Sequence, residues 1–94
     1  MIRILVSYII EPDKEDEVLG AIRAFTAAVR QQEPQTKYEV YQGDAPGHFF
    51  HYMEFTDADA ERTHRNAPHT DRFAAVLGHH CSNAPVIHRL SRVC

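Results

Sequence analysis

Two segments of this chain carry large apolar side chains on both faces of an extended strand. They are residues 3–10 (RILVSYII) and 48–55 (HFFHYMEF). In the first, Ile4 and Val6 fall on one face while Leu5 and Ile9 fall on the other, because successive side chains of a strand alternate between its faces. A strand with one wet face alternates apolar and polar residues instead. A sheet built on these strands needs cover on both faces, which predicts helices on one face and a second copy of the chain on the other.

Hydrophobic spacing and turn residues predict the other elements. Val18, Ile22, Phe25 and Val29 are spaced four, three and four apart and form one helical stripe, and Asp13 before them is a suitable N-cap. The predicted order is strand 3–10, helix 14–32, strands 37–42 and 48–55, helices 58–65 and 68–79 separated by a break before a proline, and strand 86–93. This β-α-β-β-α-β order is the ferredoxin-like pattern of an α+β fold, with one antiparallel four-stranded sheet and the helices on one face.

Composition limits the classes of partner. The chain has 94 residues, and we expect one domain that spans residues 1–94. The formal net charge is −3 and the Lys and Arg residues are scattered, which argues against nucleic acid and against a membrane as partners. The apolar N-terminal stretch is too short to span a bilayer and has no signal-peptide cleavage site, so we interpret it as a strand. Cys81 and Cys94 lack zinc-type spacing, which favours free thiols in a reducing, cytoplasmic location.

Several segments taken together resemble the antibiotic biosynthesis monooxygenase (ABM) family. They are EPDKEDE at 11–17, VR at 29–30 and EP at 33–34 leading into YEVY at 38–41, YMEF at 52–55, HRNAPH at 64–69, and Phe73. The resemblance implies a dimeric α/β barrel with a pocket in each subunit between the sheet and the helices. It also implies one of three activities: cofactor-free oxygenation of polycyclic phenols and quinols, haem degradation, or isomerisation of a small phosphorylated sugar-derived signal.

The chain departs from the family pattern at several positions. The haem-degrading members have an asparagine, a tryptophan and a histidine ligand where this chain has Val6, Ala67 and Leu77, and the chain contains no tryptophan. Haem degradation is therefore not expected. Gln35 replaces the usual glycine of the EP turn, and Thr70 stands where an aromatic residue is common. The first of these changes bears on the geometry of the turn and not on function.

Histidines are the main candidates for acid–base chemistry, because a neutral imidazole can accept a phenol's proton near pH 7. His64 and His69 flank the predicted helix break, and each is either a pocket base or donor, or a residue that caps the helix or bonds across the dimer. His51, in phase with Phe49 and Met53, is a further base candidate if that strand face meets the helices and an interface residue if it meets the partner. No metal site is expected, because the five-residue spacing of His64 and His69 does not match a helical metal pair and no zinc motif is present.

Six further residues are candidates for substrate binding, each with a structural alternative. They are Asn66, Tyr8, Tyr38, Tyr52, Arg72 and Phe73. Asn66 either anchors a substrate or caps a helix. For both Arg72 and Glu54 the alternatives are a functional role and an ion pair within the chain. Tyr8, in phase with Ile4, should face the helices and line the pocket, although such a tyrosine is more often a core residue with a satisfied hydroxyl.

The leading functional hypothesis is a cofactor-independent monooxygenase that acts with molecular oxygen on an aromatic or quinol-type small molecule, without metal, haem or flavin. The resemblance supplies the reaction class, and the residues supply a base, hydrogen-bond donors and an apolar cavity. Two alternatives stay open: a small-molecule isomerase of the same fold, and a non-catalytic dimeric ligand-binding protein. A phosphorylated substrate would call for basic residues in the pocket, and few fall on the faces expected to line it.

Overall fold

The computed structural model describes residues 1–94 and contains one four-stranded antiparallel sheet with three α-helices. The strands are β1 (Ile2–Ile9), β2 (Lys37–Gln42), β3 (His48–Phe55) and β4 (Val86–Leu90), and the helices are α1 (Glu15–Gln32), α2 (Ala58–Asn66) and α3 (Pro68–His80). The sheet order is β2-β3-β1-β4. This confirms the predicted ferredoxin-like α+β class, including the broken second helix. None of the helices combines the length and the apolar character needed to cross a membrane.

Strand pairing fixes which side chains face the helices. β1 pairs with β3 so that Ile4 lies opposite Met53 and Val6 lies opposite His51. β2 pairs with the other edge of β3 and places Tyr38 opposite Met53. Directly paired residues point to the same side of a sheet, so these side chains share the face that the helices cover. The phase that the sequence left open is thereby settled, because His51 faces the helices and is buried.

The first helix packs as its periodicity predicts. All four residues of its apolar stripe, Val18, Ile22, Phe25 and Val29, are buried. Three acidic residues occupy its first turn, where the helix dipole favours negative charge. The stripe covers the sheet and forms one side of the hydrophobic core.

Two details of the predicted boundaries were wrong. Asp13 was expected to cap α1, but it lies in a 3-10 turn over Pro12–Lys14, and no side chain caps the helix. Pro12 opens this turn, and because its fixed φ angle suits a helix, helical geometry begins before α1 itself. β4 ends at Leu90 and not at residue 93, because its pairing with β1 ends at Arg3.

The break in the second helical segment is a single extended residue. Ala67 has φ −70° and ψ 144° between the end of α2 at Asn66 and the start of α3 at Pro68. The cause is the one that the sequence predicts, since a residue before proline avoids helical geometry. Asp57 caps α2 by accepting a hydrogen bond from the Ala60 N–H. The break changes the direction of the chain where α2 and α3 approach the end of α1.

The sheet face away from the helices is uncovered and partly apolar. Ile9, Tyr41, Val86 and Leu90 on this face are between 40% and 53% exposed. They alternate along their strands with the residues that face the helices. This is the surface for which the sequence predicts cover by a second copy of the chain.

Candidate active site

A cavity of about 380 Å³ lies between the sheet and the helices. Eleven of its 18 lining residues are hydrophobic. Val6 and Met53 line it from the sheet, Phe25 and Phe73 line it from the helices, and Ile87 of β4 borders it while remaining 67% exposed. A mostly apolar cavity of this size with a few polar groups is the usual form of a small-molecule site.

His51 joins two tyrosines across the sheet beneath this cavity. The Tyr8 hydroxyl lies 2.6 Å from His51 Nε2, and the Tyr38 hydroxyl lies 2.6 Å from His51 Nδ1. The strand register explains the contact, because Tyr8 on β1 and Tyr38 on β2 are diagonal neighbours of His51 on the same face of the sheet. Both ring nitrogens of His51 are therefore occupied.

Burial determines the protonation of the Tyr8–His51–Tyr38 trio. Desolvation lowers the pKa of His51 to about 4, with repulsion from His64 as a smaller cause. Desolvation also raises the pKa of both tyrosine hydroxyls far above the ordinary range. A neutral imidazole has one N–H, so one tyrosine donates to His51 and the other accepts from it while keeping its own O–H proton free. In either tautomer, the trio can offer one hydroxyl proton to a molecule in the cavity, which both tyrosines line.

Glu33, His64 and His69 form a second buried polar cluster, where α1 ends and α2 meets α3. Nδ1 of His64 lies 3.1 and 3.0 Å from the two carboxylate oxygens of Glu33, and Nε2 of His69 lies 2.6 Å from the Glu33 Oε2. Glu33 is the C-cap residue of α1, and the chain break at Ala67 lets His69 reach the carboxylate that His64 contacts from α2. A carboxylate accepts hydrogen bonds and does not donate them, so both rings donate an N–H to Glu33.

The second nitrogen of His64 is free. Its Nδ1 is bound by Glu33, whereas its Nε2 has no hydrogen-bond partner in the protein. Thr26 Oγ1 is the one fully buried side-chain nitrogen or oxygen without a partner, so the His64 Nε2 is not fully buried. His64 lines the cavity. A histidine with one unpaired ring nitrogen is thus part of the cavity lining.

Charged residues border the cavity on the side of β4. Glu61 of α2 accepts two hydrogen bonds from Arg89, at 2.9 and 2.8 Å, and one from Arg65 at 3.2 Å. The hydrogen bonds from Arg89 hold the pKa of Glu61 below its usual range. Two guanidinium groups against one carboxylate leave net positive charge beside the cavity.

Comparison with known proteins places this arrangement in a family. The family model for antibiotic biosynthesis monooxygenase matches residues 1–76. This chain belongs to the ABM family. The match supports a general monooxygenase-like function, and no curated protein is significantly similar in sequence to this ABM protein.

Solved structures agree with the ABM fold. One antibiotic biosynthesis monooxygenase is 25% identical over 100% of both chains, with a TM-score of 0.91. A protein from Caulobacter crescentus is 22% identical, with 98% of this chain and 89% of that chain covered and a TM-score of 0.90. The protein Rv0793 from Mycobacterium tuberculosis is 17% identical, with 99% and 95% covered and a TM-score of 0.87. The last two show likeness of fold alone.

The cavity of this ABM protein contains five of the nine residues predicted for the site. They are His64, His51, Tyr8, Tyr38 and Phe73. Three others, His69, Asn66 and Arg72, line a groove of about 720 Å³ between the end of α1 and the α2–α3 break. Tyr52 lies on the opposite sheet face, where its hydroxyl donates to Glu54 at 2.6 Å.

The structural alternatives for Asn66 and Arg72 are not realised. Asn66 makes no side-chain hydrogen bond and caps neither helix. Arg72 forms no ion pair, and Glu54 is engaged by Tyr52 and lies 4.0 Å from Lys37. Both Asn66 and Arg72 are left facing the groove.

Glu33 is the main residue that the sequence reasoning missed. Glu33 and Pro34 follow the predicted helix 14–32 as a turn, and nothing in their local pattern indicates a buried carboxylate. Only the approach of His64 and His69, 31 and 36 residues further along the chain, gives it a role. Glu61 lies in the first turn of α2, where an acidic residue is usually solvated, yet it is buried and bound by Arg89.

Proposed function

We propose that this protein is a cofactor-independent monooxygenase that oxidises a small phenolic or quinol-type molecule in the cavity between the sheet and the helices. The observation that carries the proposal is the contact between Glu33 and His64, a residue that lines the cavity, because it occupies one ring nitrogen and leaves the other without a protein partner. Family membership supports the general class of monooxygenase-like proteins. The base is inferred from the chemistry of the cavity, whereas the substrate type and the cofactor-free reaction are what the family resemblance implies.

Glu33 prepares His64 to act as a base. By accepting a hydrogen bond from the Nδ1–H group, the carboxylate holds the imidazole in the tautomer whose Nε2 carries a lone pair. It also stabilises the imidazolium that forms when Nε2 takes a phenolic proton. A positioned base of this kind contributes roughly 10²–10⁴-fold to a rate.

Removal of the phenolic proton lets the substrate supply every electron that oxygen needs. The phenolate is electron-rich at the ring carbon para to its oxygen, and where that carbon carries hydrogen it forms a bond to one atom of O₂. The resulting peroxide takes up the proton, the O–O bond breaks, the C–H proton leaves, and water departs as a quinone carbonyl forms. One oxygen atom enters the product and the other enters water. All four electrons come from the organic substrate, so the reaction needs no external reductant.

The Tyr8–His51–Tyr38 trio supplies a hydrogen-bond donor for this chemistry. Its one free hydroxyl proton is held in a desolvated site, where a donor stabilises a developing oxyanion or peroxide more strongly than in water. His51 is a positioning residue in this scheme, because both of its nitrogens are taken by tyrosines. His64 is the catalytic base.

A second candidate function, isomerisation of an anionic small molecule, is favoured by one observation. Arg65 and Arg89 border the cavity, and their two positive charges exceed the single negative charge of Glu61, which both contact. The same base and the same hydroxyl donor would serve a keto–enol proton transfer. The two functions differ in their need for oxygen, which separates them experimentally.

The experiment that tests the leading proposal is oxygen uptake by chelator-treated protein with a panel of quinols and hydroxylated aromatics. For substrates with a C–H para to the hydroxyl, we expect uptake of one O₂ per molecule oxidised, and in ¹⁸O₂ one labelled oxygen in the quinone. The exposed His79 on α3 provides a control, because His79→Ala should leave the rate unchanged. Turnover that continues without oxygen would favour the isomerase. Activity that disappears on chelation and returns with one metal would contradict the proposal.

We also propose that the protein is a homodimer in which the apolar outer face of the sheet is buried. Four large side chains on that face are at least 40% exposed, and the sheet is otherwise without cover there. Light scattering should give about twice the mass of one 10.8 kDa chain, and Ile9→Glu should shift the protein toward monomer or unfold it. A monomer mass for the wild type would contradict the dimer.

A further inference from the structure

Glu33, His64 and His69 bring three metal-type ligand atoms together. One carboxylate oxygen and one nitrogen from each imidazole all lie within 4.8 Å of one another. We propose that these three residues, called here the Glu–His–His site, bind one divalent transition-metal ion such as Zn²⁺. The ion would occupy the position where the two N–H groups now point at the carboxylate.

The donor set suits such an ion. Zinc sites in enzymes commonly use three protein ligands drawn from histidine and carboxylate and leave a fourth position for water. Ligands about 2.0–2.1 Å from a tetrahedral ion lie roughly 3.3 Å from each other. The carboxylate of Glu33 now lies 3.0 Å from His64 Nδ1 and 2.6 Å from His69 Nε2. Widening these two separations by about 0.3 and 0.7 Å would reach the spacing of a tetrahedral site.

The site is both pre-formed and reachable. All three side chains are at most 10% exposed and come from different elements, the end of α1, α2 and α3, which fixes them without a ligand. Glu33 and His69 line the groove between α1 and the α2–α3 break, which gives an ion and its fourth ligand a route from solvent.

Binding requires only a change of tautomer in each ring. An imidazole nitrogen that binds a metal carries no proton, so the proton must move to the other nitrogen of the same ring. The other nitrogens, Nε2 of His64 and Nδ1 of His69, have no hydrogen-bond partner in the protein, and neither atom is fully buried. Both rings can thus stay neutral, and the Glu33 carboxylate offsets one of the two charges of the ion.

Metal binding should inhibit the proposed reaction, a consequence that rests on the proposed function. With the ion on Nδ1, the proton of His64 resides on Nε2, and the nitrogen at the cavity wall becomes a donor. It can no longer take a phenolic proton. The Glu–His–His site would then act as an inhibitory switch and not as a cofactor site.

The Glu–His–His site differs from the expectation, drawn from residue spacing, that the chain has no metal site. That expectation treated His64 and His69 as residues of helical segments at an unsuitable spacing. The break at Ala67 removes the premise, because the two rings approach from separate helices and converge on a carboxylate from a third.

The test is titration of chelator-treated protein with Zn²⁺ by calorimetry, followed by histidine ring signals in NMR. We expect one ion per chain, with shifts largest for His64 and His69 among the seven histidines. Replacement by Co²⁺ should give the intense visible absorption of a four- or five-coordinate site. Absence of saturable binding by the wild type, or shifts confined to other histidines, would overturn the proposal.

Matched variants locate the ion. Glu33→Gln and His69→Asn should each weaken binding by more than the 10–100-fold that loss of a neighbouring support typically costs. His80→Asn is the control, because His80 and Glu17 form a surface pair, 3.4 Å apart, with no third ligand. Melting temperatures without metal show whether each variant is folded. Binding that both variants retain would overturn the site, whereas tight binding without inhibition would leave the site standing and contradict the role of His64 as base.

Discussion

His51 and His64 are both buried and both line the same cavity, yet their ring nitrogens are in opposite situations. His51 has the hydroxyl of Tyr8 on one nitrogen and that of Tyr38 on the other. His64 has the carboxylate of Glu33 on one nitrogen and no protein group on the other. Burial therefore does not by itself mark a catalytic histidine. We propose that an unpaired ring nitrogen on a residue that lines the cavity does, with proton transfer by His64 and positioning by His51.

The largest expected effect is the fall in turnover when the basic ring nitrogen of His64 is removed. His64→Asn keeps an N–H near the position of Nδ1 for Glu33 but has no basic nitrogen at the cavity wall. We expect the rate of quinol oxidation to fall by about 10²–10⁴-fold, while the melting temperature changes little. Steady-state oxygen uptake and thermal unfolding on the same sample measure both quantities.

The variant His64→Ala separates the loss of the base from the loss of the contact with Glu33. It removes the base and also leaves Glu33 with one donor fewer, so it should cost stability of about 1–3 kcal/mol in addition to activity. If His64→Asn oxidised substrate at the wild-type rate, His64 would not be the base, and the distinction between the two histidines would fail.

The next effect is on stability in acid and concerns His51. The pKa of His51 is about 4 in the folded protein, compared with an ordinary value of about 6.5. Between these pH values the unfolded chain therefore binds a proton at this residue and the folded chain does not. Stability should therefore fall as the pH drops from about 6.5 to 4, by up to roughly 3 kcal/mol from this group. Denaturant unfolding across this range, at fixed protein concentration, measures the loss.

His51→Gln is the matched control for the pH effect. A glutamine can still bond both tyrosines but does not titrate, so its stability should vary less over the same pH range. Equal pH slopes for the wild type and His51→Gln would show that His51 is not held neutral by burial, and the contrast with His64 would lose its basis.

The smallest effect is expected when only one of the two tyrosines that contact His51 loses its hydroxyl group. After Tyr38→Phe or Tyr8→Phe, the remaining tyrosine can accept the N–H of His51 and still offer its own hydroxyl proton. Each single variant should lose about 0.5–1.5 kcal/mol of stability and retain most of its turnover, whereas the double variant should lose far more activity than the two singles combined. Additive losses of turnover would contradict a shared donor.

Much of the fold was predictable because its signals are local. The stripe on α1, the break before Pro68 and the apolar faces of β1 and β3 each follow from side-chain periodicity or proline geometry. The phase of His51 was not predictable, since both faces of β3 are apolar and only the pairing with β1 shows which one meets the helices.

The site was predictable only in part, because it depends on contacts between distant segments. His64, His51 and three aromatic residues were named from their strands and helices, and they do line the cavity. The carboxylate of Glu33 was missed because its burial depends on how α2 and α3 meet α1. The directions of Asn66 and Arg72 depend on the same packing, and both face the groove and not the cavity.

The most direct measurement is the protonation of the ring nitrogens of His64 in the metal-free wild type, read by ¹⁵N NMR at about pH 8, where ordinary histidines are neutral. We predict that the proton resides on Nδ1, toward Glu33, and that Nε2 is unprotonated and responds to a phenolic ligand. The Glu33→Gln variant should disturb this preference. A proton on Nε2 of the wild type, or a ring signal that does not change when a phenol binds, would contradict the assignment of His64 as the base.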